Sequence, residues 1–310
     1  MMDPVKVVIS TSSFGQYDDS PVRMLKDAGM DVVLNPYGRT MKEEEIKNMI
    51  KDADFLIAGT EQLSRDVLDS AKRLKAISRC GTGLDNVDLA AAEQNNIKVF
   101  NTPDAPTRAV AELTVGLILA LIRHIPVMDR DIRGGVWKKR MGNLLEGKCV
   151  GIIGFGRIGR KTAELLLPFG VKIVYYDVKE TESSPDHEKV GLDRLLENAD
   201  IISMHLSVVP GGEPVIGKEE LKKMKEGSLF VNASRGGSVD EKALAEAIET
   251  GHIAGAALDV FKNEPYDGPL VNMKEVILTP HIGSYAVEAR ISMETEAVQN
   301  LLKGIKGREK

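Results

Sequence analysis

Three stretches in the second half of the chain place reactive side chains where an apolar, strand-like run breaks off at polar residues. They are 232–241, which carries Arg235, 257–265, which carries Glu264, and 278–284, which carries His281. In open α/β sheets ligands sit outside the carboxyl ends of the strands, so such breaks are where chemistry belongs. A guanidinium can grip a carboxylate through two parallel hydrogen bonds and polarise a neighbouring carbonyl. An imidazole can exchange a proton with that carbonyl oxygen. A carboxylate beside the imidazole favours its charged form. The set suits reduction of a keto acid, with a proton going to oxygen while a hydride reaches carbon.

The segment Gly154-Phe155-Gly156-Arg157-Ile158-Gly159 supplies a second kind of chemistry. G-x-G-x-x-G is weak alone and strong between a buried strand and a helix, which is its setting here. The glycines allow a tight turn, close approach of backbone N–H groups to a pyrophosphate, and close helix–strand packing. The helix N-terminus then faces the phosphates with its partial positive charge. Asp177 lies at the end of the next strand-like run. That is where an acid accepts hydrogen bonds from the ribose hydroxyls and repels a 2′-phosphate. NAD rather than NADP is the expected cofactor.

These residues need strand ends to hold them, and the chain alternates strand and helix throughout. Strands are predicted at 5–9, 31–34, 54–57, 74–78 and 97–101, with helices at 21–28, 42–51, 65–71 and 89–95 between them. Thr40 is the expected cap of the second helix. Two prolines within 101–107 mark a connection. A long apolar helix over 108–123 follows, too apolar to face solvent. A second alternating unit then has strands at 149–155, 172–176, 201–205, 229–232, 253–258 and 276–278. Its helices fall at 157–169, 192–198, 218–225 and 241–250, and a last helix runs over 285–303. Alternation of this kind means α/β architecture with parallel sheets covered on both faces.

Bulk composition sets the outer limits. A length of 310 residues allows about two domains. With 41 Lys and Arg against 46 Asp and Glu, the net charge of -5 argues against a nucleic-acid partner. The longest apolar run, 115–122, is too short to span a membrane, and no signal-peptide pattern opens the chain, so a cytoplasmic location is expected. Cys80 and Cys149 sit in or beside apolar runs and read as reduced, buried thiols. Neither has metal-ligand spacing, and no metal is expected. His124, His187, His205 and His252 lack a catalytic setting and read as structural.

The motifs together resemble the D-isomer-specific 2-hydroxyacid dehydrogenase family, most of all its D-3-phosphoglycerate dehydrogenase branch. The resemblance covers nearly the whole chain. It is carried by Gly81-Thr82-Gly83-Leu84-Asp85-Asn86-Val87-Asp88, Asn101-Thr102-Pro103, Ala111-Glu112-Leu113-Thr114, the glycine fingerprint and the three stretches above. A lone loop Arg, a Glu before Pro or a His after Pro is usually structural; the three in order inside these motifs point to function. The resemblance implies Arg235 as the substrate-binding arginine, Glu264 as the supporting acid and His281 as the general acid/base. It implies that the Thr82 and Gly83 amides hold the substrate carboxylate. NAD would contact Gly154, Gly156, Arg157, Ile158, Gly159, Asp177, Leu206, Ala233, Ser234, Asp259, Gly283 and Ser284. It also implies two doubly wound parallel-sheet domains: a flavodoxin-like substrate domain over 1–102 plus 285–310, and a Rossmann NAD-binding domain over 103–284. The helix after Arg108 would serve a homodimer interface.

The branch implies oxidation of D-3-phosphoglycerate to 3-phosphohydroxypyruvate, in serine biosynthesis. Arg79 and the run Trp137-Lys138-Lys139-Arg140-Met141-Gly142 could serve a substrate phosphate, although the second also reads as a solvated basic turn around a buried Trp. Against the phosphate, 57–60 reads Ile-Ala-Gly-Thr where the branch often has a basic residue. Ser207 replaces a common proline, and 211–214 is atypical. With Lys310 just after the last helix, no regulatory domain and no serine feedback are expected. A glyoxylate or hydroxypyruvate reductase is the alternative enzyme. An NAD-sensing corepressor-like protein is the alternative from another class. Glu264 argues against the formate dehydrogenases, which lack this partner to the histidine.

Overall fold

The computed structural model describes residues 4–179, 186–206 and 212–306. Ser207 and Gly211 lie outside them. The chain divides into two compact units, one of 1–106 with 284–310, the other of 107–283.

Among the described residues, the first unit is built on a five-stranded sheet: β1 (Lys6–Ile9), β2 (Asp31–Leu34), β3 (Phe55–Ala58), β4 (Ala76–Arg79) and β5 (Lys98–Phe100). Their order is β2-β1-β3-β4-β5, every pair parallel. This is the flavodoxin-like order. Parallel strands are covered on both faces and read as continuous apolar runs, as fully buried β3 does. Alternation sends Val7 and Ile9 of β1 to one side and Val8 to the other. On the first side they meet Leu25 of α1 (Ser20–Asp27) and Met293, Val298 and Leu301 of the C-terminal helix, Val287–Lys306. On the other, Val8 and Leu56 meet Ile46 and Ile50 of α2 (Glu43–Ile50), Leu68 of α3 (Arg65–Ser70) and Ala91 of α4 (Leu89–Gln94).

Thr40 does not cap α2. Lys42 takes the cap position, and Glu45 reaches back to accept from its backbone N–H at 2.8 Å. Arg39 grips the same carboxylate and, with that N–H, lowers Glu45 to about 2. Glu45 satisfies the helix end from inside the first turn, so Thr40 is not needed; its hydroxyl faces that of Thr60 instead.

The second unit opens with α5 (Thr107–Ile122), which buries Val110 and packs Leu117, Ile118 and Leu121 into the core of its own unit. A helix not expected from sequence, α6 (Ile125–Arg133), follows and buries none of its residues. Among the described residues, seven strands form the sheet: β6 (Cys149–Ile153), β7 (Lys172–Tyr176), β8 (His187–Lys189), β9 (Ile201–Met204), β10 (Ser228–Asn232), β11 (Ile253–Leu258) and β12 (Val276–Leu278). Their order is β12-β11-β10-β9-β6-β7-β8, all parallel, with the chain reversing direction across the sheet between β6 and β9. Around them run α7 (Arg157–Leu166), α8 (Leu192–Asn198), α9 (Lys218–Lys223) and α10 (Glu241–Glu249). The edge strand β8 was also missed: its three residues, His-Glu-Lys, carry no apolar pattern.

Candidate active site

In the second unit the glycine segment leaves the carboxyl end of β6 at the switch point between β6 and β9, the ligand crevice of doubly wound sheets. Gly154 has φ 93, and a Cβ there would stand 2.5 Å from the His205 carbonyl oxygen. A Cβ on Gly159 would stand 2.2 Å from the Gly154 oxygen. Both positions exclude a side chain. Gly156, by contrast, faces open space, with nothing within 4 Å of where its Cβ would be. The space over Gly156, at the start of α7, fits a pyrophosphate approaching the backbone. Arg157 is exposed, Ile158 half-buried.

Asp177 follows β7 and accepts from Phe155 N at 2.7 Å and from Lys179 N at 2.8 Å. It braces the glycine turn, and a carboxylate's roughly four acceptor sites leave room for ribose hydroxyls. Phe155 stacks on Tyr175 at 3.9 Å, and His187 meets Phe155 edge-on. Leu206 lies half-buried just beyond β9.

The three reactive residues leave neighbouring strands β10, β11 and β12. Asn232 ends β10; its side-chain oxygen accepts from Ser234 N and Oγ, and its amide donates to the Arg235 carbonyl at 3.0 Å. This pins Ala233, Ser234 and Arg235 in a buried turn, and the Arg235 guanidinium donates to Ser234 O at 2.8 Å. After β11, Phe261 N donates to Glu264 Oε1 at 3.0 Å, and Phe261 stacks on Tyr266. Glu264 Oε2 then meets His281 Nδ1 at 3.0 Å. Both side chains keep solvent access, 38% for Glu264 and 52% for His281. With Nδ1 engaged, Nε2 is the nitrogen left to meet a substrate.

His281 itself has φ 54, a left-handed conformation uncommon for a residue with a side chain. Asp259, 1% exposed, holds it there. Its Oδ1 accepts from Thr279 Oγ1 at 2.6 Å and Ile282 N at 2.8 Å, and its Oδ2 from Gly283 N at 2.8 Å. The sequence named Asp259 for the cofactor but not as the brace of the histidine turn; only the folded register of β11 against β12 reveals that.

In the first unit, Gly81–Gly83 follow β4. Gly81 N donates to Thr102 Oγ1 at 2.7 Å, and Asn101 Nδ2 to Thr82 O at 2.7 Å. The motif at 101–103 therefore holds the 81–83 loop. Arg79 folds across Gly81, with Nη1 donating to Cys80 O at 3.0 Å. Ser284 is half-buried at the start of the segment entering the C-terminal helix. Trp137 is not buried: it is 83% exposed, and Met141 is 94% exposed. Cys149 is half-buried rather than buried: it is the first residue of β6, and its N–H donates to Asp200 Oδ2 at 2.8 Å. His252 bonds Leu221 O, and His205 bonds Ser203 Oγ with its Nδ1 shut off from solvent; desolvation lowers His205 to about 4. Among the described residues, no cluster of three or more His, Cys, Asp or Glu could hold a metal.

The family model described as D-isomer specific 2-hydroxyacid dehydrogenase, NAD binding domain, matches residues 115–283. A D-3-phosphoglycerate dehydrogenase of Methanocaldococcus jannaschii is 41% identical over 86% of this chain and 52% of its own length. A glyoxylate reductase of Thermofilum pendens is 41% identical over 92% of this chain and 88% of its own. A glyoxylate reductase structure from Paecilomyes thermophila superposes with a TM-score of 0.88 at 30% identity, covering 98% of this chain and 96% of that one. The chain belongs to the D-isomer-specific 2-hydroxyacid dehydrogenases, a family of NAD-binding oxidoreductases. It spans about half the length of the phosphoglycerate dehydrogenase and most of the length of the glyoxylate reductase.

Proposed function

We propose that this chain interconverts a D-2-hydroxy acid and its 2-keto acid. The observation that carries the reading is the Glu264–His281 contact of 3.0 Å, in the same unit as the glycine turn. NAD, when bound, accepts or supplies the hydride. Arg235 grips the substrate carboxylate and polarises the keto oxygen. In reduction His281 Nε2 gives its proton to that oxygen; in oxidation the neutral imidazole takes the hydroxyl proton. Glu264 holds the ring by Nδ1 and stabilises its charged form. The Thr82 and Gly83 amides, on the loop braced by Asn101 and Thr102, are the first unit's candidate donors to a substrate carboxylate. Domain roles follow: 1–102 plus 285–310 for substrate, 103–284 for NAD.

For the substrate, small unphosphorylated keto acids such as glyoxylate or hydroxypyruvate come first. The run 57–60, Ile-Ala-Gly-Thr, supplies no basic residue for a phosphate, and Glu61 beside it is 2% exposed and accepts from Ser10 Oγ and from Gly59 N. D-3-phosphoglycerate, and with it a place in serine biosynthesis, is the second reading; it draws support from the 41% identity to a phosphoglycerate dehydrogenase and from Arg79. The test is NADH oxidation with glyoxylate and hydroxypyruvate beside NADH formation with D-3-phosphoglycerate in alkaline buffer with a keto-acid trap. Faster turnover of the unphosphorylated acids supports the first reading; dominant phosphoglycerate turnover replaces it with the second. Slow turnover of every acid would favour an NAD-sensing binding protein.

A homodimer in the cytoplasm completes the proposal. The exposed Trp137, Met141 and Leu144 support a second copy covering this segment, and the unpaired thiols Cys80 and Cys149 suit a reducing compartment.

A further inference from the structure

α10 begins at Glu241, but Asp240 already caps it by accepting from Lys242 N at 3.0 Å and Ala243 N at 3.1 Å. The Glu241 side chain is therefore not required at the helix end. Its Oε1 instead accepts from Lys262 N at 2.7 Å, in the turn after β11. The preceding amide, Phe261 N, is the one that holds Glu264. Two successive N–H groups are thus each taken by a glutamate. The same peptide is held at a second point. A Cβ on Gly236 would stand 1.8 Å from the Phe261 carbonyl carbon and 2.4 Å from Lys262 N, so the backbone just after Arg235 lies directly against it.

We propose that Glu241 is a positioning residue: with Gly236 it fixes the Phe261–Lys262 peptide and so sets where Glu264 holds His281. The proposal rests on the reading of His281 as the general acid. Keeping a carboxylate here is electrostatically unfavourable, which argues against an idle contact. Burial raises Glu241 above the usual carboxylate range; the Lys262 N–H and its ammonium pull it down, while Asp240 and Glu264 push it up. Tyr266 is the other titratable group in its field.

The test uses the full chain with NADH and a keto acid, comparing wild type, Glu241→Ala, Glu241→Gln and His281→Ala. Glu241→Ala should lower kcat roughly 10–100-fold, the scale of a misplaced catalytic group, with the KM for NADH nearly unchanged. Glu241→Gln, which still accepts from Lys262 N, should recover most of that loss with the same pH profile. A crystal structure of Glu241→Ala should show the Glu264–His281 contact lengthened past about 3.5 Å. The proposal is overturned if that contact and kcat stay as in wild type. It is also overturned if Gln is as poor as Ala, or if thermal stability and NADH binding fall together with kcat. Full activity in His281→Ala would defeat the general-acid reading instead, and the crystallographic distance would still decide Glu241.

Discussion

His281 occupies a strained backbone conformation, and the buried Asp259 carboxylate pins it there with three hydrogen bonds. Strain of this kind costs roughly 1–3 kcal/mol and persists where surrounding structure over-determines it. The outcome is a ring whose Nδ1 faces Glu264. His281→Ala should lower keto-acid reduction by roughly 10²–10⁴-fold, the usual worth of a positioned general acid. NADH binding, followed by fluorescence titration, should survive. Activity close to wild type would remove His281 from the mechanism. At this scale the reactive residues were legible because arginine, glutamate, histidine and the three glycines are chemically distinctive and sit at strand ends. The roles of Asn232, Thr279 and Glu241 were not, since a polar residue at or just past the end of an element announces no partner until the fold supplies one.

At the scale of elements the two units share a device. Asp54 stands just before β3 and accepts from Lys6 N at 3.0 Å, at the start of β1. Asp200 stands just before β9 and accepts from Cys149 N at 2.8 Å, at the start of β6. Lys75 pairs with the first and Lys225 with the second. Burial tends to raise both carboxyls, but these N–H and ammonium groups outweigh it and hold both below the ordinary range. With the folded value depressed, the stabilisation is complete above the unfolded value near 4 and is lost as pH falls through the folded one. Glu294 works oppositely: burial raises it, so its share is present at low pH and fades as pH rises through its folded value. Urea unfolding of Asp54→Asn and Asp200→Asn should each show a loss of about 1–3 kcal/mol at neutral pH. Their acid destabilisation should also be shallower than that of wild type. An unchanged acid slope would exclude these carboxylates as its source.

At the scale of the whole molecule the open matter is what covers the segment after α5. Leu117, Ile118, Leu121 and Ile122 of α5 are buried in the core of its own unit, while Ile125, Ile132, Val136, Trp137, Met141 and Leu144, on α6 and the chain after it, are exposed. Val136 N bonds Asp131 O, Arg140 pairs with Asp131, and Asn143 N bonds Ile122 O, which fixes that segment with Trp137 and Met141 outward. Under the homodimer proposal, wild type should have a dimer's mass by light scattering, and Trp137→Glu with Met141→Glu should shift it to a monomer's. A monomeric wild type, or a dimer that survives both charges, would refute it.

The sequence by itself determined the α/β class, the parallel sheets and which candidate side chains stand at the strand ends. Those follow from local rules: alternating apolar runs and helical segments leave few topologies, and glycine spacing is a backbone requirement. Among the described residues it placed nearly every strand and helix, missing β8, which carries no apolar pattern, and α6, a nine-residue helix that buries none of its residues. Tertiary structure decided what depends on residues far apart in the chain. The register of β11 beside β12 sets Asp259 under the histidine turn. The packing of Gly236 against Phe261 joins the loop of Arg235 to the loop of Glu264. Glu45 displaces Thr40 at a helix end, and Trp137 faces outward. Each is a competition among partners for one hydrogen bond or one surface, and only the folded chain brings the competitors together.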